Sequence, residues 1–304
     1  MVGRFVTVAV LAIGLLPAVA GASQQAWRLP APVYRTTAVV AGGRIYVLGG
    51  HDSAGGTISD VYVLNPATGV SRRAGSLALP THGGAAVSLG GRILVFGGAS
   101  ASVHDVVQEF SPAAGRARVI GQMPGVRADV TAVVVGRRAV LVGGFDGVGP
   151  QRDVWSTANG ESFQTVAHLP QPVRYPAVAA LGSAVYVFGG LISGGEYTGT
   201  FSSAIQRISL PGGSATIVGH LPTPLAHAMA TVVNGRIYVL GGSAPTGPSA
   251  AIRRFNPATG LTSPAGQLPR PLTDAAVATI GRTVYLLGGI SNGPLATVVK
   301  VQPR

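Results

Sequence analysis

The chain has 304 residues and a formal net charge of +12, from 22 Lys and Arg against 10 Asp and Glu. Apolar residues make up 47% and aromatics only 6%, while 45 glycines and 22 prolines suit many short strands joined by tight turns, which excludes a helical or a disordered chain. The absence of cysteine excludes disulfides, thiolate zinc sites and a lipid-modified amino-terminal cysteine.

Residues 1–22 read as a secretory signal. Arg4 supplies the positive region, residues 5–16 the apolar core, and Pro17 a break before small-residue cleavage options after Ala20 or Ala22. The alternative is a leader retained as a membrane anchor, against which stand the interruptions at Gly14 and Pro17 and the lack of a following basic cluster. The expected location is secreted or extracytoplasmic, periplasmic or at the cell surface, with no stable membrane insertion after cleavage.

Residues 23–304 are expected to form one domain, because a single unit recurs along them. The phrase RIYVLGG stands at residues 44–50 and again at 236–242, and weaker copies end in further double glycines. The six pairs begin at Gly49, Gly97, Gly143, Gly189, Gly241 and Gly288, at spacings of 48, 46, 46, 52 and 47 residues. Such a period marks one supersecondary unit stacked repeatedly. A second landmark, Leu-Pro or once Met-Pro, starts at Leu29, Leu79, Met123, Leu169, Leu221 and Leu268. It precedes the first glycine by 20 residues in five repeats and by 18 in the second.

Between the landmarks lie a strand of small apolar residues (36–40, 228–233), a tight turn (Gly42-Gly43, Asn234-Gly235) and the strand that ends in the double glycine. Asn-Gly between apolar runs is a strong hairpin signal. A loop, a third strand (61–64, 252–255), a second turn reading NPATG at 65–69 and 256–260, and a fourth strand complete the unit. Four short antiparallel strands per repeat describe a propeller blade, with small inner-strand residues at the crowded axis and the double glycine at a backbone kink or a close approach that a Cβ would obstruct.

The double glycine after an apolar-aromatic strand, the NPATG turn and a period of 46 to 52 residues resemble the Kelch repeat over residues 24–304. The tryptophan usual on that family's outer strand stands here only at Trp27. The expected fold is all-β: a six-bladed Kelch-type propeller with four antiparallel strands per blade. Phase predicts its closure, since Trp27-Arg28 precedes Leu29-Pro30 as an outermost strand would, while the last repeat ends after a third strand at 296–301. Residues 24–29 should complete the sixth blade.

In such sheets the Leu-Pro segments and the post-glycine loops share one face, and variable loops on a rigid scaffold carry binding residues. Loop length varies most after the fourth double glycine, where residues 191–203 form a Gly-rich insertion with Glu196, Tyr197 and Phe201. Tyr34 and Asp129 lie on this face, and the candidate ligand-binding residues there are Arg35, His51, Asp52, His82, Arg127, Asp146, Arg174, Tyr175, Glu196, Tyr197, His227 and Asp274. The other reading of these residues is a solvated rim. His51-Asp52 and His104-Asp105 do not make a metal site, because sequence neighbours seldom reach one ion and no third ligand is fixed by spacing. No cofactor motif and no hydrolase, zinc-protease or P-loop signature occurs in a usable context, so no catalytic residue is assigned.

The expected function is a secreted, non-enzymatic scaffold, monomeric, binding an unknown protein or carbohydrate through the loop face. One alternative is a sugar-modifying enzyme, resembling the exported six-bladed Kelch mutarotases of sialic acid in compartment and blade number, with Glu196 and Arg174 as partners. Another is a polyanion or cell-surface adhesion module. Arg44, Arg92, Arg138 and Arg236 follow the first turn in four repeats and should ring the end opposite the loops, where acidic envelope polymers rather than nucleic acid would meet them.

Overall fold

A computed structural model describes residues 27–303; the signal-peptide assignment and residues 23–26 and 304 lie outside them. The described residues contain no helix; their strands fall into six antiparallel blades, with two short ribbons in the loops, Leu191–Ser193 with Thr200–Phe201 and Ser243–Ala244 with Gly247–Pro248. Blade one is Thr37–Ala41, Arg44–Leu48, Asp60–Leu64 and Ser71–Ser76; blade two is Ala85–Leu89, Arg92–Phe96, Val106–Ser111 and Arg116–Gln122. Blade three follows as Thr131–Val135, Arg138–Val142, Gln151–Thr157 and Phe163–Val173, and blade four as Ala177–Leu181, Ala184–Phe188, Ala204–Ser209 and Ser214–His220. Met229–Val233, Arg236–Leu240, Ala251–Asn256 and Leu261–Gln267 make blade five, and Ala276–Ile280, Thr283–Leu287 and Val298–Val301 make blade six. One parallel bridge, Ser76 to Arg116, links the outer edges of blades one and two, so their hydrogen bonding runs on as one eight-stranded sheet.

The sixth blade is completed by the amino-terminal segment, as the phase of the repeat requires. Arg28 bridges Thr297, the Leu29 amide donates to the Ala296 carbonyl (2.7 Å), and the Val298 amide donates to the Trp27 carbonyl (2.8 Å). Among the described residues this fourth element comprises Trp27–Leu29. Trp27 stacks on Tyr285, with ring centroids 6.1 Å apart, under the Lys300 ammonium.

The core is six apolar seams, one between each pair of neighbouring blades. Val39, Leu48 and Val61 of blade one meet Ile93, Val95 and Phe110 of blade two, and the series continues round to Tyr285, Leu287 and Val298 of blade six against Ile45, Val47 and Leu64 of blade one. Strand alternation makes this possible, because each sheet presents apolar side chains on both faces. Each fully buried Val, Leu or Ile contributes about 1.5–3 kcal/mol relative to exposure.

The double glycines join the blades. In all six repeats the amide of the second glycine donates, at 2.8 Å, to a carbonyl of the next blade: Gly50 to Thr81, Gly98 to Arg127, Gly144 to Val173, Gly190 to Leu225, Gly242 to Leu272, and Gly289 to Val33. Both glycines of a pair have positive φ, and a Cβ on the first would overlap that same carbonyl oxygen. The motif is therefore a blade-to-blade staple that only glycine permits.

One landmark needs correction. In the second repeat the buried residue equivalent to Leu29, Met123, Leu169, Leu221 and Leu268 is Leu77, not Leu79. The Leu77 amide donates to the Ser59 carbonyl (2.7 Å), as the Met123 amide does to Asp105 and that of Leu221 to Ser203. The buried landmark thus precedes Gly97 by 20 residues, like all the others, and the 18-residue spacing belongs to a Leu-Pro pair lying just beyond it. In blade three the Leu-Pro falls inside the outer strand Phe163–Val173, where an unpaired edge tolerates proline.

Candidate functional site

Six equivalent residues surround the propeller axis at the end where the post-glycine loops emerge. Arg35, Gly83, Asp129, Tyr175, His227 and Asp274 all lie in the left-handed region, with φ between 50° and 61°. The residue before each pairs with the residue just after a double glycine, as in Tyr34 with His51, Arg174 with Leu191 and Thr273 with Ile290. Main-chain bonds then run from blade to blade: the amides of Arg35, Gly83, Tyr175, His227 and Asp274 donate to the carbonyls of Asp274, Arg35, Asp129, Tyr175 and His227 at 2.9–3.2 Å. Five non-glycine residues in a conformation that costs about 1–2 kcal/mol each over a right-handed one are held there by this ring. Their side chains gather over the channel.

Asp129 is the centre of that cluster. Its carboxylate is 1% exposed and takes bonds from Arg174 Nη2 (2.6 Å) and Nε (3.1 Å) on one oxygen and from Arg35 Nη2 on the other. Arg174 also donates to the Tyr175 hydroxyl (2.8 Å) and lies over the rings of Phe145 and Tyr175. Arg35 reaches Glu196 through Nη1 (2.9 Å). Burial alone would push the Arg35 pKa down, but Asp129, Tyr175 and Glu196 carry it above the ordinary value. Burial and the Asp129 charge push the Tyr175 hydroxyl well above the ordinary tyrosine range.

On the opposite side of the axis His227 and Asp274 form a second buried pair, Nδ1 to Oδ1 at 2.8 Å. Thr273 and the Tyr197 hydroxyl donate to the other Asp274 oxygen, both at 2.9 Å. The second ring nitrogen of His227 meets the Glu196 carbonyl at 2.9 Å. An acceptor on each nitrogen suits the doubly protonated ring. Accordingly, although burial opposes charge, Asp274 and the Glu196 carbonyl hold the His227 pKa above its ordinary value. Burial likewise opposes ionisation of Asp274, and His227, Tyr197 and Thr273 overcome it to hold its pKa low. His227 is stacked between Tyr175 (4.0 Å) and Tyr197 (4.7 Å).

A third group flanks Arg35. His51 and His82 stack at 3.9 Å, Tyr34 packs on His51, and Thr57 bonds His82. His104 approaches Thr81 at 3.4 Å. Burial lowers all three histidines, helped at His51 and His82 by the Arg35 charge, and brings His82 down to about 3. Among the described residues no group of three or more His, Asp or Glu is arranged to hold a metal ion.

Of the residues expected to bind, the structure brings together Arg35, Arg174, Tyr175, Glu196, Tyr197, His227 and Asp274, with His51 and His82 beside them. It places three apart. Asp52 accepts from the amides of Ala54 and Gly56, and Asp146 from those of Val148 and Gly149, so each carboxylate holds its own turn. Arg127 is buried between blades, over Trp155 (3.9 Å) and donating to the Gly143 carbonyl (2.8 Å); burial lowers its pKa to about 10 although Asp153 opposes this. Glu196 and Arg174, the partners of the enzymatic alternative, are held by Arg35 and Asp129 respectively. Gly83 was not foreseen as part of the mouth, and it is the one ring position that adds no side chain.

Below the ring the inner strands line cavities of about 290 and 510 Å³ with small residues, including Ala38, Ala86, Ala132 and Ala230. At the opposite end, Arg44 and Arg236 are exposed. Arg92 is taken up by Glu109 (2.7 Å) and the Asn159 carbonyl (3.0 Å), and Arg138 by the Ser156 side chain (2.7 Å) and carbonyl (3.2 Å). Glu109 also pairs with Arg118.

Residues 32–78 match the Kelch motif family. A Kelch-like protein, terF, of Aspergillus terreus is 33% identical over 90 residues, which are 29% of this chain and 18% of that protein. The chain thus matches under a fifth of that relative's length. The solved structure of YjhT superposes with a TM-score of 0.75 over 90% of this chain and 95% of that one, at 15% identity.

Proposed function

We propose that this six-bladed β-propeller, of which residues 32–78 match the Kelch motif family, serves outside the cytoplasm as a non-enzymatic scaffold that binds a ligand or partner protein at the axial mouth of its loop face. One observation supports this above the rest: Arg35, Asp129, Arg174, His227 and Asp274 converge there with side chains no more than 10% exposed. A propeller can satisfy its rim with solvated polar residues, whereas buried ion pairs return little net stability for their desolvation. Convergent buried charge beside a cavity is the usual signature of a binding site.

The test is a ligand and partner screen with the parent and the double variant Asp129→Asn/Arg174→Gln, which leaves net charge unchanged. The expected result is a hit whose affinity falls at least tenfold in the variant while the far-ultraviolet spectrum is retained. A hit that binds both proteins equally overturns the assignment. A second reading, polyanion binding by the basic end, is favoured by the exposure of Arg44 and Arg236. Earlier elution of Arg44→Gln/Arg236→Gln from an acidic polysaccharide column as salt rises supports it; coincident elution ends it.

A further inference from the structure

The insertion after the fourth double glycine does not stand away from the mouth; it closes it. Its stem, Leu191–Ser193 paired with Thr200–Phe201, is fixed because Leu191 and Phe201 pack with Tyr175 and Ala226. Its tip, residues 194–199, has no such apolar anchor. It begins and ends in glycine, with Gly194 at φ 78° and so close to Gly199 that a Cβ would stand 2.7 Å from its Cα. Polar contacts hold the tip: Glu196 to Arg35, the Glu196 carbonyl to His227, and the Tyr197 hydroxyl to Asp274, with the Tyr197 ring on His227. The Glu196 carboxylate is 34% exposed, and Tyr197 is exposed overall. Water therefore reaches the Glu196 end of the pair and screens it more than the Asp129 end of the Arg35 contacts.

Beneath the tip, the Arg35 side chain is only 9% exposed and its Nε has no hydrogen-bond partner. A buried guanidinium donor left unmatched marks an incomplete anion site. The charges say the same. Arg35 and Arg174 share the single Asp129 carboxylate, and Glu196, the further acid on Arg35, is the only one of these charged groups on a segment able to leave. Withdrawal of the tip leaves two guanidinium groups on one carboxylate and a face of His227 uncovered.

We propose that the tip formed by residues 194–199 is a displaceable lid whose Glu196 carboxylate fills an anion site of the mouth, and that a small carboxylate from solution binds there by taking the place of Glu196 on Arg35. This rests on the reading of the mouth as a binding site. The preferred ligand pairs a carboxylate with a flat ring, because that is what Glu196 and Tyr197 present to Arg35 and His227. Binding and lid closure are mutually exclusive, so the lid lowers apparent affinity by the fraction of time it is closed.

The experiment is calorimetric titration of 3-(4-hydroxyphenyl)propionate and of benzoate into four forms of the full chain: the parent, Glu196→Gln, a lid-shortened form with residues 193–200 replaced by Gly-Ser, and Arg35→Gln/Glu196→Gln. Thermal melts check that each is folded. Glu196→Gln and the shortened form should bind one or both probes about tenfold or more tightly than the parent, and the Arg35 double variant should lose that gain. In the parent, a tyrosine fluorine label at Tyr197 should shift toward its solvent-exposed position as probe saturates. Equal affinity in the parent, Glu196→Gln and shortened forms overturns the lid, as does a gain that survives loss of Arg35 or a Tyr197 signal unmoved at saturation. If equal affinities are also abolished by Asp129→Asn/Arg174→Gln, the lid has failed and the mouth as a site has not.

Discussion

Arg35 of blade one and Asp129 of blade three form a buried ion pair across 94 residues of sequence, passing over the blade that separates them. They can meet because the ring position between them is Gly83. A Cβ there would stand 2.6 Å from Asp129 Oδ1 and 3.3 Å from Arg35 Nη2.

Gly83→Ala should therefore cost more than its backbone conformation alone. A left-handed alanine costs about 1–2 kcal/mol, and breaking a buried pair about 3–5 kcal/mol. Gly42→Ala provides the control, since Gly42 has nearly the same φ and open space around it. Urea unfolding should show Gly83→Ala less stable than Gly42→Ala by about 3 kcal/mol. Equal losses would mean that the side chains part without penalty.

The histidines give a pH dependence of definite sign. His51, His82 and His104 have lowered pKa values in the folded chain, so the unfolded chain takes up protons first as pH falls below about 6.5, and stability falls with it. For His82 the loss continues down to about pH 3. His227 acts oppositely: its raised pKa gives a contribution fully present below about 6.5 and lost as pH rises through the folded value. Replacing His82 with Asn should flatten the decline between pH 6 and 4 by up to ~1.4 kcal/mol per pH unit. Denaturant midpoints at several pH values measure this, and an unchanged slope would show that His82 is protonated in the folded chain.

Trp27 carries much of the closure of blade six. Besides Tyr285 and Lys300 it covers Gly69, where a Cβ would overlap its ring. Trp27→Ala should lower stability by about 2–4 kcal/mol, and the melt should be followed by the fluorescence of Trp155, the tryptophan that remains. A melting temperature within a degree of the parent would remove the amino-terminal segment from the closing contact.

The scaffold was legible because its requirements fall on residues with few substitutes. A staple at positive φ needs glycine, and six paired glycines at near-equal spacing report it directly. The buried leucine of the second repeat was misplaced by two positions because Leu79-Pro80 repeats the letters while Leu77 fills the seam. The mouth was less legible for a different reason. Arg35, Gly83, Asp129, Tyr175, His227 and Asp274 each stand 14 residues before a double glycine, yet they share no chemistry, so no pattern of residue type marks the ring. Asp52 and Asp146 follow their glycines closely enough to look like mouth residues. Each carboxylate instead turns back on the amides of its own loop, a local choice that residue type and position do not announce. Arg92 and Arg138 share a repeat position with Arg44 and Arg236, but they alone have a partner within reach: Glu109 for one, Ser156 for the other.

The staple from Gly289 to Val33 has the same length as the five that join consecutive repeats. A linear stack of repeats loosens from its two ends, where each terminal unit has a single neighbour. In this molecule every blade has two, and no blade can separate without rupturing two seams and two staples at once. Heat or denaturant should consequently find no place to begin peeling, and the whole circle should give way in one cooperative step.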